Sequence, residues 1–380
     1  MKSFQFLTLL AASLVLAAHT PAWGQETVPF PRQLTGVAFP TSEWPEFELS
    51  DKARTTINAT LHRALKETKA PSLVKTKAFV AVWQGKIVGE WYQKGVTQHT
   101  RLQSWSMAKS MLHAALGIAL KEHKISAQSG LNSPRWAGEG DPRARITVRQ
   151  LAQMTDGLLF REDYGDPQAH AMQMLFGRGR GDTGDFASRS GVVHEAGTHW
   201  SYSSGSANIL SRYLRDRLGG GKKYAQFLHE RLFCKIGMTS AVPEFDASGS
   251  WIGSSYVHAT ARDYAKFGLL YLRGGFWDGE QIIPGNWVEV GRTPTLASRG
   301  QYGALFWLNA VNPDTGLPSI STKLPEDLFM ARGFGGQFIA IIPSRDVVIV
   351  MLNANYGDEV GPVINLIAQV LEPLTPPSPG

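Results

Sequence analysis

The stretch Leu102-Gln-Ser-Trp-Ser-Met-Ala-Lys-Ser-Met-Leu-His-Ala-Ala-Leu-Gly-Ile-Ala-Leu120 constrains this chain more than any other. A polar turn opens it, and the rest is nearly all apolar over a helical length. A helix that is apolar all round must be buried, so the remainder of the fold has to wrap it and hold its polar end in place. Ser106 and Lys109 lie three positions apart at that end, on one helical face, where hydroxyl and amine meet. The partial positive charge of a helix N-terminus favours a neutral Lys109 and a developing alkoxide on Ser106. The competing reading is a serine that merely caps the helix.

At 380 residues, 43% hydrophobic and 18% charged, the chain is of globular type and long enough for two domains, or for one with a large insertion. A net charge of +6 without a basic run or stripe gives no footprint for nucleic acid. Residues 1–24 read as an export signal: Lys2, an apolar run from Phe6 to Ala18, and Ala22-Trp23-Gly24 before Gln25. The alternative is a retained N-terminal anchor. The first reading places the protein in the periplasm or outside the cell, with no stable membrane insertion after cleavage. The single cysteine, Cys234, rules out an intrachain disulfide and reads as a small buried hydrophobe. Oligomeric state is not legible.

Residues 25–50 show no period and read as an extended lead-in. Asp51 is placed to cap a helix reaching Thr68, on the recurrence of Ile57, Leu61 and Leu65. Ala78–Trp83 and Lys86–Tyr92 flank Gln84-Gly85 as a hairpin. From 125 to 260 strand signals are weak and short helices alternate with Gly-rich turns. Among these are a helix opened by the capping box Thr147-Val-Arg-Gln150, and helices at Ser206–Leu218 and Tyr224–Lys235. Phe160–Gly191 reads as one long irregular loop. Ala261–Leu272 is a helix capped by Thr260. Gln337–Ile342 and Asp346–Leu352 form a second hairpin, Pro362 starts a last helix to Leu371, and a Pro-rich tail at 373–380 is expected to be disordered. The expectation is an α+β chain: a sheet domain from 25–124 plus 261–372, and a mostly helical insertion at 125–260, with a site between them.

Ser-x-x-Lys occurs twice, at Ser72-Leu-Val-Lys75 and at Ser106-Met-Ala-Lys109. Only the second opens a buried helix. Trp200-Ser-Tyr-Ser-Ser-Gly205 supplies Tyr202, a phenol that acts as a base when held beside a lysine ammonium, with Ser204 as a hydrogen-bonding neighbour. A tyrosine packed in the core is the plainer alternative. Ala331-Arg-Gly-Phe-Gly-Gly-Gln337 lets backbone approach a ligand through Gly333, Gly335 and Gly336. An N–H in this stretch can join that of Ser106 in an oxyanion hole. Alone, it reads as a glycine-rich entry turn.

Together the three motifs resemble the serine β-lactamase and penicillin-binding family, whose signature is S-x-x-K, a Tyr- or Ser-led triplet, then a strand motif. The stretch Ile146-Thr-Val-Arg-Gln-Leu-Ala-Gln-Met-Thr-Asp-Gly157 is typical of that superfamily. The likeness is strongest to the class C-like branch, with its esterases and 6-aminohexanoate-dimer hydrolases. It implies an antiparallel sheet flanked by helices, and no cofactor or metal. Ser106 would form an acyl-enzyme with a small amide or ester, while Lys109 and Tyr202 share the proton transfers. Glu162-Asp-Tyr164 with Asp166-Pro167 is similar to a segment of the nylon-oligomer hydrolases, which implies that Tyr164 reaches the substrate amide. Two departures stand out: the triplet ends in Ser204 where many relatives have Asn, and Arg332 with glycines replaces Lys-Thr-Gly. In β-lactamases that lysine helps bind the substrate carboxylate. A DD-peptidase, a β-lactamase and a lapsed binding relative are the rivals. Other chemistries lack their signatures: there is no Gly-x-Ser-x-Gly elbow, phosphate loop or dinucleotide fingerprint, and His194 and His199 lack metal-ligand spacing.

Overall fold

In the computed structural model, residues 27–45, 50–353 and 360–374 are described. The expected export signal and residues 375–380 lie outside them. Ser50, rather than Asp51, caps helix α1 (Asp51–Leu61), its hydroxyl accepting from Ala53 N. The turn after α1 widens over His62–Lys66. Strands β1 (Thr76–Trp83) and β2 (Lys86–Tyr92) form the first hairpin, and helix α2 (Met107–Glu122) follows. Later come α3 (Ser204–Arg217), α4 (Ala261–Leu272), β3 (Trp307–Leu308), β4 (Phe329–Gly333), β5 (Gln337–Ile342), β6 (Val347–Asn353) and α5 (Gly361–Leu371).

These strands make one six-stranded antiparallel sheet in the order β2-β1-β6-β5-β4-β3. Its period-two alternation divides the core. Ala78, Val80, Val82, Ile339, Ile341, Val348 and Val350 face the cluster that holds α2 and α4. Phe79, Ala81, Phe338, Ala340, Ile349 and Met351 face the cluster with α1 and α5. A sheet covered on both faces needs apolar residues at consecutive positions, which is why β1, β5 and β6 read as unbroken runs. At Gly268 of α4 a Cβ would lie 2.4 Å from Val348 Cγ1, so glycine lets this helix sit directly on the sheet.

Every residue of α2 from Met107 to Ala119 is buried. Each Leu, Ile or Met so enclosed contributes about 1.5–3 kcal/mol relative to exposure, enough to anchor the helix in one place. A second small sheet pairs Leu102–Gln103 with Val257–Ala259, and thus ties the turn before α2 to the segment entering α4.

Several expectations need correction. Phe160–Gly191 is not a continuous loop, because helical turns at His170–Leu175 and Thr183–Ser188 lie inside it. Asp182 of the Gly-Arg-Gly-Arg-Gly-Asp run caps the second of them, accepting from Asp185 N at 2.9 Å. Cys234 is exposed, with Sγ 3.3 Å from His229 Nε2, because the chain narrows there to a 3-10 turn that points it outward. Pro373 and Leu374 belong to the fold: Leu374 is fully buried and its carbonyl accepts from Arg345 Nη2. The lead-in has no regular structure across 27–45 but is fastened by side chains. Arg273 bonds Gln33 at 2.8 Å and Asp346 at 2.5 Å, and Trp277 Nε1 donates to Thr41 Oγ1. The Thr147–Gln150 capping box is formed by both of its bonds. Among the described residues no helix is long and apolar enough to cross a membrane.

Candidate active site

Ser106 stands immediately before α2, with helical backbone angles and no side-chain cap bond. Its Oγ is instead 2.9 Å from Lys109 Nζ. The preceding Trp105 has φ of 45°, a left-handed conformation that costs a bulky residue about 1–2 kcal/mol. Ser104 holds that turn. Its N–H donates to Val257 O at 2.8 Å, and its Oγ accepts from Val257 N at 3.0 Å. The other Ser-x-x-Lys pair separates, with Ser72 buried and Lys75 exposed around a single helical turn.

Lys109 is 1% exposed. Removing an ammonium from water costs several kcal/mol unless its donors are satisfied. Here three oxygens meet Nζ: Ser106 Oγ at 2.9 Å, Ser204 Oγ at 2.9 Å and Ser254 O at 3.0 Å. Tyr202 lies beside them but presents its ring face, with the centroid 4.7 Å from Nζ. Its phenol oxygen is not among the partners of Lys109. Tyr302 and Trp307 frame that ring at 6.0 and 5.2 Å. The guanidinium of Arg332 lies over Trp307 at 5.2 Å. Although Arg332 is exposed as a residue, its charged end loses enough water there to weaken its hold on its proton, an effect opposed by the nearby Tyr202.

Ser204 is the first residue of α3, two positions earlier than the sequence suggests, and Ser203 caps the helix by accepting from Ser206 N. A first-turn N–H has no partner within its own helix. That of Ser204 donates to Glu162 Oε2 at 2.7 Å, while Ser204 Oγ donates to Glu162 Oε1 at 2.5 Å. Tyr164 OH donates to the same Oε1 at 2.8 Å. Burial, and then the charge of Glu162, push the Tyr164 phenol well above its ordinary range, so it remains a donor. Glu162 was quoted in the sequence only as the neighbour of Tyr164. Nothing in the spacing marks it as the partner of a serine 42 positions away, and Ser254 likewise carries no motif.

The glycine-rich stretch enters β5 as a hairpin turn from a further strand, β4, with Gly333 paired to Gln337. A Cβ at Gly333 would lie 2.4 Å from Ser104 O and 3.3 Å from Trp105 Cβ, so the end of β4 presses on the turn before α2. Gly335 and Gly336 have φ of 83° and 79° and form the turn itself. Phe334 at its tip stacks on Tyr164 at 5.2 Å and meets Trp105, the neighbour of Ser106 in the chain, edge-on at 5.8 Å, making an aromatic rim. Among the described residues no cluster of His, Cys, Asp and Glu fits a metal. His194 and His199 stack on each other, with ring centroids 4.0 Å apart.

Residues 58–369 match the family model described as Beta-lactamase. A 6-aminohexanoate-dimer hydrolase of Paenarthrobacter ureafaciens is 26% identical over 222 residues, and the match spans 56% of each chain, little more than half of that relative. Two solved structures share the fold. A hydrolase with promiscuous acyltransferase activity, EstCE1, superposes with a TM-score of 0.65 at 12% identity, over 85% of this chain and 100% of the other. A family VIII carboxylesterase gives 0.63 at 14% identity, over 86% and 99%.

Proposed function

The chain belongs to the beta-lactamase family, and on that premise we propose that it is a serine hydrolase cleaving small amides or esters through an acyl-enzyme on Ser106. The observation that carries the reading is the buried Lys109 amine 2.9 Å from Ser106 Oγ at the head of an enclosed helix. Ser106 Oγ attacks the carbonyl carbon as its proton passes to the Lys109–Tyr202 pair. The tetrahedral oxyanion is held by the N–H of Ser106 and by one from the backbone between Ala331 and Gln337. The intermediate collapses, the carbon–nitrogen or carbon–oxygen bond breaks, and the leaving group takes the proton. Water, deprotonated by the same pair, then releases the acid and restores Ser106.

Arg332 over Trp307, in place of a Lys-Thr-Gly lysine, and the aromatic rim of Trp105, Tyr164 and Phe334 support linear substrates with an apolar portion over β-lactams. Tyr164 is placed to meet the amide of such a substrate. Export, resting on residues 1–24, belongs to the same proposal.

The test is a panel of short-chain p-nitrophenyl esters, linear amides, D-Ala-D-Ala peptides and a chromogenic cephalosporin, run on the wild type and on Ser106→Ala. Turnover of esters and linear amides that falls at least about a thousandfold in the variant is expected. Full activity in Ser106→Ala sinks the assignment, and stable labelling by a fluorescent penicillin points to a DD-peptidase instead.

A further inference from the structure

The three oxygens around Lys109 are not equivalent. Ser254 O is a carbonyl and can only accept. Ser204 has one hydroxyl proton, and Glu162 takes it at 2.5 Å, since an ionised carboxylate has none to give. Ser204 Oγ therefore also meets Lys109 purely as an acceptor. Two of the three positions on Nζ are thus committed to N–H donors. Only the third, facing Ser106 Oγ at 2.9 Å, is free to carry either a proton or a lone pair. A neutral amine held in this way turns its lone pair toward the hydroxyl it must deprotonate.

We propose that Glu162 is a positioning residue which, through Ser204, reserves the Ser106-facing position of Lys109 for proton exchange. The inference rests on the acyl-enzyme reading above. Other groups facing the lysine do not supply this role. Tyr202 offers a ring face, Tyr302 is buried and held neutral, and the guanidinium of Arg332 lies over Trp307. The carboxylate is itself fixed by Ser204 N and Tyr164 OH, so it cannot swing away from the relay.

Glu162→Gln tests this with near-identical shape. Its amide can donate to Ser204, which turns that hydroxyl toward Lys109 and blocks one of the committed positions. The kcat should fall at least about tenfold, with KM within about threefold. Glu162→Asp keeps an acceptor-only carboxylate for Ser204 and should recover part of that lost kcat. Should Glu162→Gln fail to fold, Ser204→Ala cuts the relay while Glu162 remains, and its kcat should fall in the same way. A wild-type kcat in Glu162→Gln or in Ser204→Ala overturns the inference. If Ser106→Ala also remains active, the acyl-enzyme reading itself falls.

Discussion

His113 lies one helical turn beyond Lys109 on α2 and is fully buried. Its Nδ1 is 2.7 Å from Tyr271 OH, its ring stacks on Trp287 at 4.7 Å, and its Nε2 has no partner. Burial alone pushes its titration down from the ordinary 6.5 to about 3. Above pH 6.5 the ring is neutral in both folded and unfolded chains, so its contribution to stability is fully present. As pH falls toward about 3 the unfolded chain binds a proton that the native one refuses, and stability drops by up to about 1.4 kcal/mol per pH unit. Between pH 7.5 and pH 5 the loss from this residue comes to about 2 kcal/mol. Urea unfolding of the wild type and of His113→Asn at both pH values measures it. The cavity and hydrogen-bond costs of the substitution appear at both pH values and cancel in the difference. The wild type should lose about 2 kcal/mol more than the variant between the two. Equal losses would refute the claim that His113 is held neutral, and with it the view that acid weakens the packing of α2.

Two further changes probe the site and its frame. Gly333→Ala should lower kcat by about a hundredfold, because the added methyl meets Ser104 O and displaces the turn that carries Ser106, and the melting temperature should fall by a few degrees. Wild-type kcat would refute the close approach. Arg273→Met leaves Asp346 buried without its partner and should cost about 3–5 kcal/mol in thermal or urea unfolding. A change under about 1 kcal/mol would mean that the pair does not tie the lead-in and β6 to the fold.

Much of the frame is legible before any coordinates. The all-apolar body of α2, the β-branched runs of β1, β5 and β6, and the Thr147 and Thr260 caps are each local patterns, in which neighbours along the chain determine the outcome. The spacing of Ser106 and Lys109 is local too, since one helical turn brings them together. Strand β4 escapes notice because its five residues include Arg332 and Gly333, and its pairing with β5 becomes apparent only across the turn. Cys234 reads as apolar from its neighbours, but which face of a short turn points outward depends on what packs behind it.

Sequence alone determined that a serine and a lysine share the head of a buried helix, since helical periodicity needs nothing beyond the chain itself. Tertiary structure alone decided what surrounds that pair. Ser204 arrives from 95 positions away, the Ser254 carbonyl from 145, and Glu162 joins through Ser204 at the start of α3. Hydrogen bonds act over about 3 Å of space, whatever the distance along the chain. No motif spacing encodes such a convergence until the packing of α2, α3 and the segment before α4 brings the groups into contact.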